Sequence, residues 1–207
     1  MSHRIVVTSL LGATALGCIL AAAPAMSAVI TPVAVTASNT FPFWNDYKPE
    51  NLINGSGLSG GLHDGTYTNM WMTDLGVQSA TLLFDLGANH ALGGINIWNY
   101  NADFGGGHSL LRGAQDFTVE ISLDGVNFTE VLTDTLEKGT GLPLPAESFA
   151  LSGEARYVRL NLLNNYGDQW SSLGLSEVSF TEVPEPAALA LLAGGLGLLG
   201  ALRRRAG

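Results

Sequence analysis

The stretch that decides the fold reads Arg112-Gly-Ala-Gln-Asp-Phe-Thr-Val-Glu-Ile-Ser-Leu-Asp-Gly125. Every second residue from Phe117 to Leu123 is apolar, and polar residues stand between them. Because the side chains of a β-strand point alternately to opposite faces, this alternation predicts a strand with one buried and one wet face. Asp124-Gly125 then favours a tight turn, and residues 128–132 are the predicted hairpin partner.

Further short strands are predicted on both sides of this hairpin. Apolar residues alternate with polar ones, or stand close together between turn signals, at residues 33–37, Leu82/Phe84/Leu86, Ile95/Ile97, Val158/Leu160/Leu162 and Val178/Phe180. Between the two terminal segments no window shows a long 3.6-residue period of apolar residues. The sequence therefore predicts an all-β domain, most simply two stacked antiparallel sheets of about eight strands.

The first 28 residues have the pattern of a secretory signal peptide. Met1-Ser-His-Arg4 is a short positive start, residues 5–23 are apolar, and small residues follow up to Ala28. Cleavage is predicted between Ala25 and Val29. Cys18, the one cysteine, lies inside this segment, so the mature protein is expected to have no disulfide although it works in an oxidising compartment.

The last 26 residues form a second distinct segment. Glu182-Val-Pro-Glu-Pro186 is followed by an apolar run at residues 187–202 and by Arg203, Arg204 and Arg205. As a helix this run would extend about 24 Å, slightly less than the bilayer core of about 30 Å. The segment resembles the C-terminal sorting tail of PEP-CTERM proteins, with Val183, Pro184, Glu185 and Pro186 as the motif. That resemblance implies an exosortase-type sorting enzyme as a partner, with transient contact with the inner membrane; a plain membrane anchor is the alternative.

Residues 29–181 remain as one domain of ordinary size. The whole chain has 9 basic and 18 acidic residues, for a net charge of −9. Such an acidic surface repels phosphate backbones, which argues against a nucleic-acid partner. It suits hard cations held by oxygen atoms, and neutral, hydroxyl-rich ligands.

Five segments of this domain carry a family resemblance. They are Ala80-Thr-Leu-Leu-Phe-Asp-Leu-Gly87, Leu92-Gly-Gly-Ile-Asn-Ile-Trp-Asn-Tyr-Asn101, the Arg112 to Gly125 stretch, Arg156-Tyr-Val-Arg-Leu160 and Gly174-Leu-Ser-Glu-Val-Ser-Phe180. In their order and spacing they resemble the discoidin or coagulation factor 5/8 type C family, whose bacterial members are similar to family 32 carbohydrate-binding modules. The resemblance implies the galactose-binding-like jelly roll, an antiparallel β-sandwich.

The same resemblance implies a structural Ca²⁺ ion. In the family an Asp-Gly turn, backbone carbonyls and a Glu of the last strand hold the ion; here Asn54-Gly55 and Glu177 stand at the matching positions. Asp64, Thr66 and Asn69 could supply further oxygen atoms, and the glycines of the loop would let it fold around a cation. Glu177 is the ligand that the resemblance supports best. The loop also matches the nucleophile-elbow and dinucleotide-loop patterns, but without the strand and helix that either needs.

Four residues are candidates for ligand contact: Trp44, Trp98, Arg112 and Trp170. Trp44 and Trp170 fall in predicted loops, and strand alternation turns Trp98 away from the core beneath Ile97. Aromatic rings on loops can stack on sugar faces, and Arg can donate to hydroxyl groups. The alternative is that the tryptophans pack under loops and that Arg112 pairs with a nearby carboxylate.

These observations predict an exported, envelope-sorted, non-catalytic module that recognises a glycan or exopolysaccharide at the surface of a Gram-negative bacterium. The alternative is a structural matrix or adhesion protein without a small-ligand site. A hydrolase is disfavoured, because no pair of carboxylates and no Ser/His/Asp order stands out.

Overall fold

The computed structural model describes residues 27–43 and 46–183. These residues form eleven β-strands: β1 Val29–Ile30, β2 Ala34–Ala37, β3 Leu58–Ser59, β4 Leu62–His63, β5 Trp71–Met72, β6 Ala80–Asn99, β7 Asp116–Ser122, β8 Thr129–Thr135, β9 Leu144–Pro145, β10 Glu147–Leu162 and β11 Gly174–Glu182. Three short 3₁₀ helices lie at Pro49–Leu52, Tyr67–Asn69 and Ser109–Arg112. No helix in this part of the chain is long and apolar enough to cross a membrane. The predicted signal peptide and the apolar run at residues 187–202 lie outside the described residues.

Two long strands, β6 and β10, build both layers of the molecule. They pair antiparallel, and the register shifts between Ala150 and Gly153 and again between Ala155 and Tyr157. On one side of these shifts β2 and β7 flank the pair, and β8 follows β7; on the other side β11 pairs with β6, and β1 and β5 pair with β11. A smaller sheet joins β3, β4 and β9.

Aromatic contacts join strands of the two layers. The rings of Phe84 on β6 and Phe180 on β11 lie 5.5 Å apart, and those of Phe117 on β7 and Phe149 on β10 lie 5.1 Å apart, both edge to face. Phe84, Phe117 and Phe180 are fully buried, and each such side chain contributes about 1.5–3 kcal/mol of transfer free energy. The predicted antiparallel β-sandwich of the jelly-roll type is confirmed.

The structure corrects the details of the strands predicted from alternation. The segments around Leu82 and Ile97 are parts of one 20-residue strand rather than two strands. At the end of β7, Ser122 is 4% exposed and Leu123 is 52% exposed, the reverse of the prediction. The hairpin turn begins at Ser122, whose hydroxyl accepts the backbone N–H of Gly125 and donates to the Asp124 carboxylate. The hydrogen bonds of the Ser122 side chain in the turn therefore decide which of Ser122 and Leu123 is buried, in place of the alternation of strand faces.

The strand register places two groups of loops at opposite ends of β11. At its start, Leu175 pairs with Trp71 of β5 and with Asn99, the last residue of β6. The segments that follow β6 and β10 and the segment before β5 therefore meet at this end. At its other end Glu182 pairs with Leu92, and its backbone N–H donates to the carbonyl of Ala28.

Candidate functional site

An aromatic cleft opens among the loops at the Gly174 end of the sandwich. Its volume is about 390 Å³. The lining residues come from separate segments of the chain and are Phe41, Tyr47, Met72, Leu75, Phe104, Arg112 and Trp170. The cleft exists because the strand register brings the ends of β5, β6 and β11 together.

Aromatic rings form a continuous row along the cleft. Tyr47 packs against Phe41 at 5.6 Å and against Tyr67 at 5.7 Å, and Tyr67 in turn packs against Phe104 at 5.7 Å. At the rim Phe104 is 59% exposed and Trp170 is 54% exposed. Large rings left in water beside a cavity are what stacking on an apolar ligand face requires.

Arg112 brings a positive charge to the cleft. Its side chain is mostly buried, and its Nε lies 3.7 Å from Oδ1 of Asp168, close enough for an ion pair but too far for a hydrogen bond. The guanidinium carbon lies 5.9 Å from the centre of the Phe104 ring. Among the described residues the buried Nε finds no hydrogen-bond acceptor. A buried donor left unpaired costs about 1–3 kcal/mol.

Asp168 contacts both the charged side chain in the cleft, Arg112, and the Trp170 loop at the rim. Its Oδ2 accepts the backbone N–H groups of Trp170 at 3.1 Å and Ser172 at 3.2 Å. The same carboxylate faces Arg112, so one buried residue positions the Trp170 loop and balances the guanidinium. Arg112 therefore pairs with a carboxylate, as the alternative interpretation of the sequence predicted. It also lines the cleft.

Two tyrosine hydroxyls lie close to the guanidinium. Burial raises the pKa of Tyr47 well above its ordinary value, and the nearby Tyr100 raises it further. Burial also raises the pKa of Tyr100, whereas the hydrogen bond with Tyr47 and the positive charge of Arg112 lower it. Both side chains therefore stay neutral at physiological pH and can act as hydrogen-bond donors.

The predicted ligand residues fall in three different places. Arg112 and Trp170 lie in the cleft. Trp98 is only 7% exposed, and its indole N–H donates to the carbonyl of Gly61 at 3.0 Å. Alternation does turn Trp98 away from the core, but the loop at residues 54–61 covers it, as the packing alternative anticipated. Trp44 lies outside the described residues.

Sequence reasoning missed Phe41, Tyr47 and Phe104. A signal was available, because Phe41-Pro-Phe43 and Asp46-Tyr47 stand in a short segment between predicted strands, and Phe104 precedes three glycines. Aromatic residues in segments with no apolar period have no strand face to fill. They are candidates for a loop site on that ground.

The predicted calcium ligands separate into two groups. Glu177 is 5% exposed, and within residues 27–43 and 46–183 its carboxylate accepts a hydrogen bond only from the backbone N–H of Gly55, at 3.2 Å to each oxygen. Burial raises the pKa of Glu177 to about 7. Glu177, Asn54, Gly55 and Trp98 line a cavity of about 400 Å³. A buried carboxylate with a single amide partner, beside a glycine-rich loop, fits a hard cation.

Asp64, Thr66 and Asn69 form a separate, self-satisfied cluster. The Asp64 carboxylate accepts the backbone N–H and hydroxyl of Thr66 and, more weakly, the amide of Asn69. Asp64 lines a different cavity from Glu177. In the described ranges no three His, Cys, Asp or Glu residues come together as a metal site. A cation at Glu177 would therefore depend on Asn54 and on loop carbonyls.

Fold and cleft define the class of protein: a jelly-roll β-sandwich that carries an aromatic cleft on the loops at one end. Residues 34–175 match the F5/8 type C domain. Since this match spans more than half of the chain, the protein belongs to the F5/8 type C domain family. Residues 182–205 match the PEP-CTERM protein-sorting motif, which implies processing by an exosortase. Both resemblances drawn from the sequence are confirmed.

Solved structures share this fold. A family 32 carbohydrate-binding module from Clostridium perfringens, in complex with GalNAc-β-1,3-galactose, gives a TM-score of 0.57 at 15% identity, covering 74% of this chain and 99% of that chain. The CBM32-3 module of a family 31 glycoside hydrolase from the same organism gives 0.53 at 20% identity, covering 75% and 95%. Chitosan-binding module 1 of a chitosanase/glucanase from Paenibacillus sp. IK-5 gives 0.52 at 17% identity, covering 73% and 95%. At these identities the likeness shows the fold.

A search of curated proteins finds no match to the chain. Domains of this type are typically non-catalytic, although structural neighbours include whole enzymes such as a family 89 glycoside hydrolase, of which this chain matches 15%. The sorting motif and the F5/8 type C domain together are those of an exported protein of the cell surface.

Proposed function

We propose that this protein is a non-catalytic carbohydrate-binding module that holds a glycan or exopolysaccharide in the aromatic cleft. The observation that carries the proposal is the exposure of Trp170 and Phe104 at the rim of a cavity that also contains Arg112. The sugar complex of the Clostridium module supports it, because that module has the same fold.

The chemistry of the cleft suits a sugar. Exposed rings stack on the apolar face of a pyranose, and the few polar groups beside them fix which hydroxyls are accepted. Arg112 can donate to a ligand hydroxyl, and the buried Asp168 carboxylate beside it nearly cancels its charge. A neutral, hydroxyl-rich ligand therefore fits better than a strongly charged one.

We infer that the module is exported across the inner membrane of a Gram-negative bacterium and that its sorting tail is then processed at the envelope. The basis is the predicted signal peptide of residues 1–28 together with the matched motif at residues 182–205. Binding at the cleft would then hold polysaccharide at the cell surface.

We also propose a structural Ca²⁺ ion held by Glu177, Asn54 and carbonyls of the glycine-rich loop. The support is the buried Glu177 carboxylate, whose hydrogen-bond partner in the described chain is the Gly55 amide. The ion would tie this loop to the last strand. Asp64, Thr66 and Asn69 satisfy one another and are left out of the ligand set.

The cleft is tested by polysaccharide retention of the full chain in mild detergent, with melting measured in parallel. Trp170→Ala should abolish retention and leave the melting temperature nearly unchanged, because the ring is exposed. Trp98→Ala should instead lower stability by about 3–5 kcal/mol, since it removes a buried ring. Leu123→Ala, which truncates an equally exposed residue outside the cleft, serves as the control. Retention that survives Trp170→Ala, or is absent from the unmodified chain, would favour the matrix-protein alternative.

A further inference from the structure

A second cavity lies directly beside the aromatic cleft. Its volume is about 800 Å³. It is lined by Thr40, Phe41, Pro42, Tyr47, Lys48, Pro49, Glu50, Asn51 and Asn54. Phe41 and Tyr47 line both cavities, so among the residues that the structure describes this edge-to-face ring pair forms the wall between them. We call this second cavity the polar groove.

Three side-chain hydrogen bonds of Asn51 hold the floor of the polar groove in place. The Asn51 side chain is 7% exposed, and its amide donates to the carbonyls of Asp46 at 2.7 Å, Thr68 at 3.0 Å and Met70 at 2.8 Å. These bonds tie the Pro49–Leu52 helix to the segment that leads into β5. Such a preorganised surface loses little conformational entropy when a ligand binds.

The groove differs from the cleft in its chemistry. Lys48, Glu50 and Asn54 are exposed along it, and the Thr40 hydroxyl, which accepts the indole N–H of Trp71, keeps its own proton to donate. The opposite charges of Lys48 and Glu50 offset each other. These groups donate to and accept from hydroxyls without selecting for net charge, whereas the cleft offers rings for stacking.

We propose that the cleft and the polar groove form one continuous site for an internal stretch of a neutral polysaccharide chain, with two or more linked sugar units bound at once. One unit stacks in the cleft, the chain crosses the Phe41–Tyr47 wall, and the following units exchange hydrogen bonds with Lys48 and Glu50. This inference rests on the proposed function and extends it from a sugar to a polymer segment. Affinity should then increase with chain length.

The test measures the affinity of the full chain for galacto-oligosaccharides and chitin oligosaccharides of one, two and four units, by calorimetry in mild detergent. In the series that binds, the tetrasaccharide should bind about tenfold tighter than the monosaccharide. Lys48→Ala/Glu50→Ala should bring that ratio close to one, and both residues are exposed, so folding should persist. Lys138→Ala/Glu130→Ala makes the same charge changes outside both cavities and should keep the ratio.

The outcomes separate the two proposals. Equal affinity for the monosaccharide and the tetrasaccharide would overturn the continuous site while leaving a sugar cleft. An unchanged ratio of tetrasaccharide to monosaccharide affinity in the Lys48/Glu50 variant would also overturn the continuous site, because the dependence on chain length would then arise outside the polar groove. Loss of all binding in Trp170→Ala supports the cleft. A chain that binds neither series, nor any polysaccharide in the retention assay, overturns the proposed function itself.

Discussion

At the scale of single residues, two carboxylates show how surroundings decide chemistry. Asp124 accepts the backbone N–H groups of Asn127 and Val126, which hold its pKa well below the ordinary value. Glu177 accepts one backbone N–H, and burial raises its pKa to about 7. Asp124 is a stable turn anchor, whereas a cation bound at Glu177, as we propose, would replace the hydration that this carboxylate loses on burial.

Calcium should therefore raise the melting temperature of the metal-free protein by several degrees, since a ligand that binds only the native state stabilises it by about 2.7 kcal/mol at a hundredfold excess over Kd. Glu177→Gln should remove this response, because it removes the charged ligand while keeping the shape of the side chain. Thermal melts with EDTA and with CaCl₂ measure both.

Asp64→Asn is the matched control for this experiment and should keep the response to calcium. A loss of response in Asp64→Asn would return Asp64 to the ligand set. Identical melts of the unmodified protein with and without calcium would remove the metal site altogether.

At the scale of elements, the end of β11 is held to its neighbours by a backbone hydrogen bond and a side-chain contact. The Val183 N–H donates to the Ala91 carbonyl at 2.8 Å, and the Glu182 carboxylate contacts His90. A Cβ atom on Gly93 would meet the Glu182 carbonyl oxygen at 2.9 Å and the Val183 nitrogen at 3.1 Å. Glycine at position 93 thus allows the backbone at the end of β11 to approach β6 this closely.

Gly93→Ala should destabilise the domain by about 1–3 kcal/mol, because the new methyl group meets backbone that cannot easily move. It should also speed cleavage after Glu182 by a Glu-specific protease, since that peptide bond lies between two backbone hydrogen bonds in the intact sheet. Thermal melts and mass spectrometry of the fragments measure the two effects.

Cleavage after Glu137, an exposed residue between β8 and β9, reports the activity of the protease and should not change. If Gly93→Ala leaves both the melting temperature and the Glu182 cleavage rate as they are, the end of β11 is not fixed by this contact.

At the scale of the whole domain, the two ends of the described chain meet at the pole opposite the cleft. The Ser27 hydroxyl donates to the carbonyl of Glu182, and β1 pairs with β11. The start of β11 lies beside the cleft, and the nine-residue strand Gly174–Glu182 separates that end from the sorting motif by about 26 Å, at about 3.3 Å per residue.

We expect the signal peptide to be cut on export and the sorting tail to be cut afterwards. The mature protein should then begin between Met26 and Val29 and end near the Val183-Pro-Glu-Pro186 segment. Intact-mass spectrometry of the surface-extracted protein measures both ends. A variant with Pro184 and Pro186 changed to Ala should keep its tail. Surface protein of unmodified sequence that still carries Arg203, Arg204 and Arg205 would show that the tail is only an anchor.

The sequence by itself determined the fold class, the hairpin at Asp124-Gly125 and the family, because alternation along a strand and the chemistry of a turn are local. It also identified Arg112, Trp170 and Glu177 as site candidates, each from its place in a motif or a loop. Identifying these candidates requires only the few residues next to each of them in the sequence.

Only the tertiary structure decided which candidates lie together. Alternation shows that Trp98 faces away from the core, but not that the loop at residues 54–61 covers it. Loops carry no period, so nothing along the chain places Phe41 and Tyr47 beside Phe104 and Trp170, residues that lie as far as 129 positions apart in the sequence. The same holds for Glu177 and Asp64, which line different cavities. A site made of loop residues is set by strand register, and register is a property of the folded sheet.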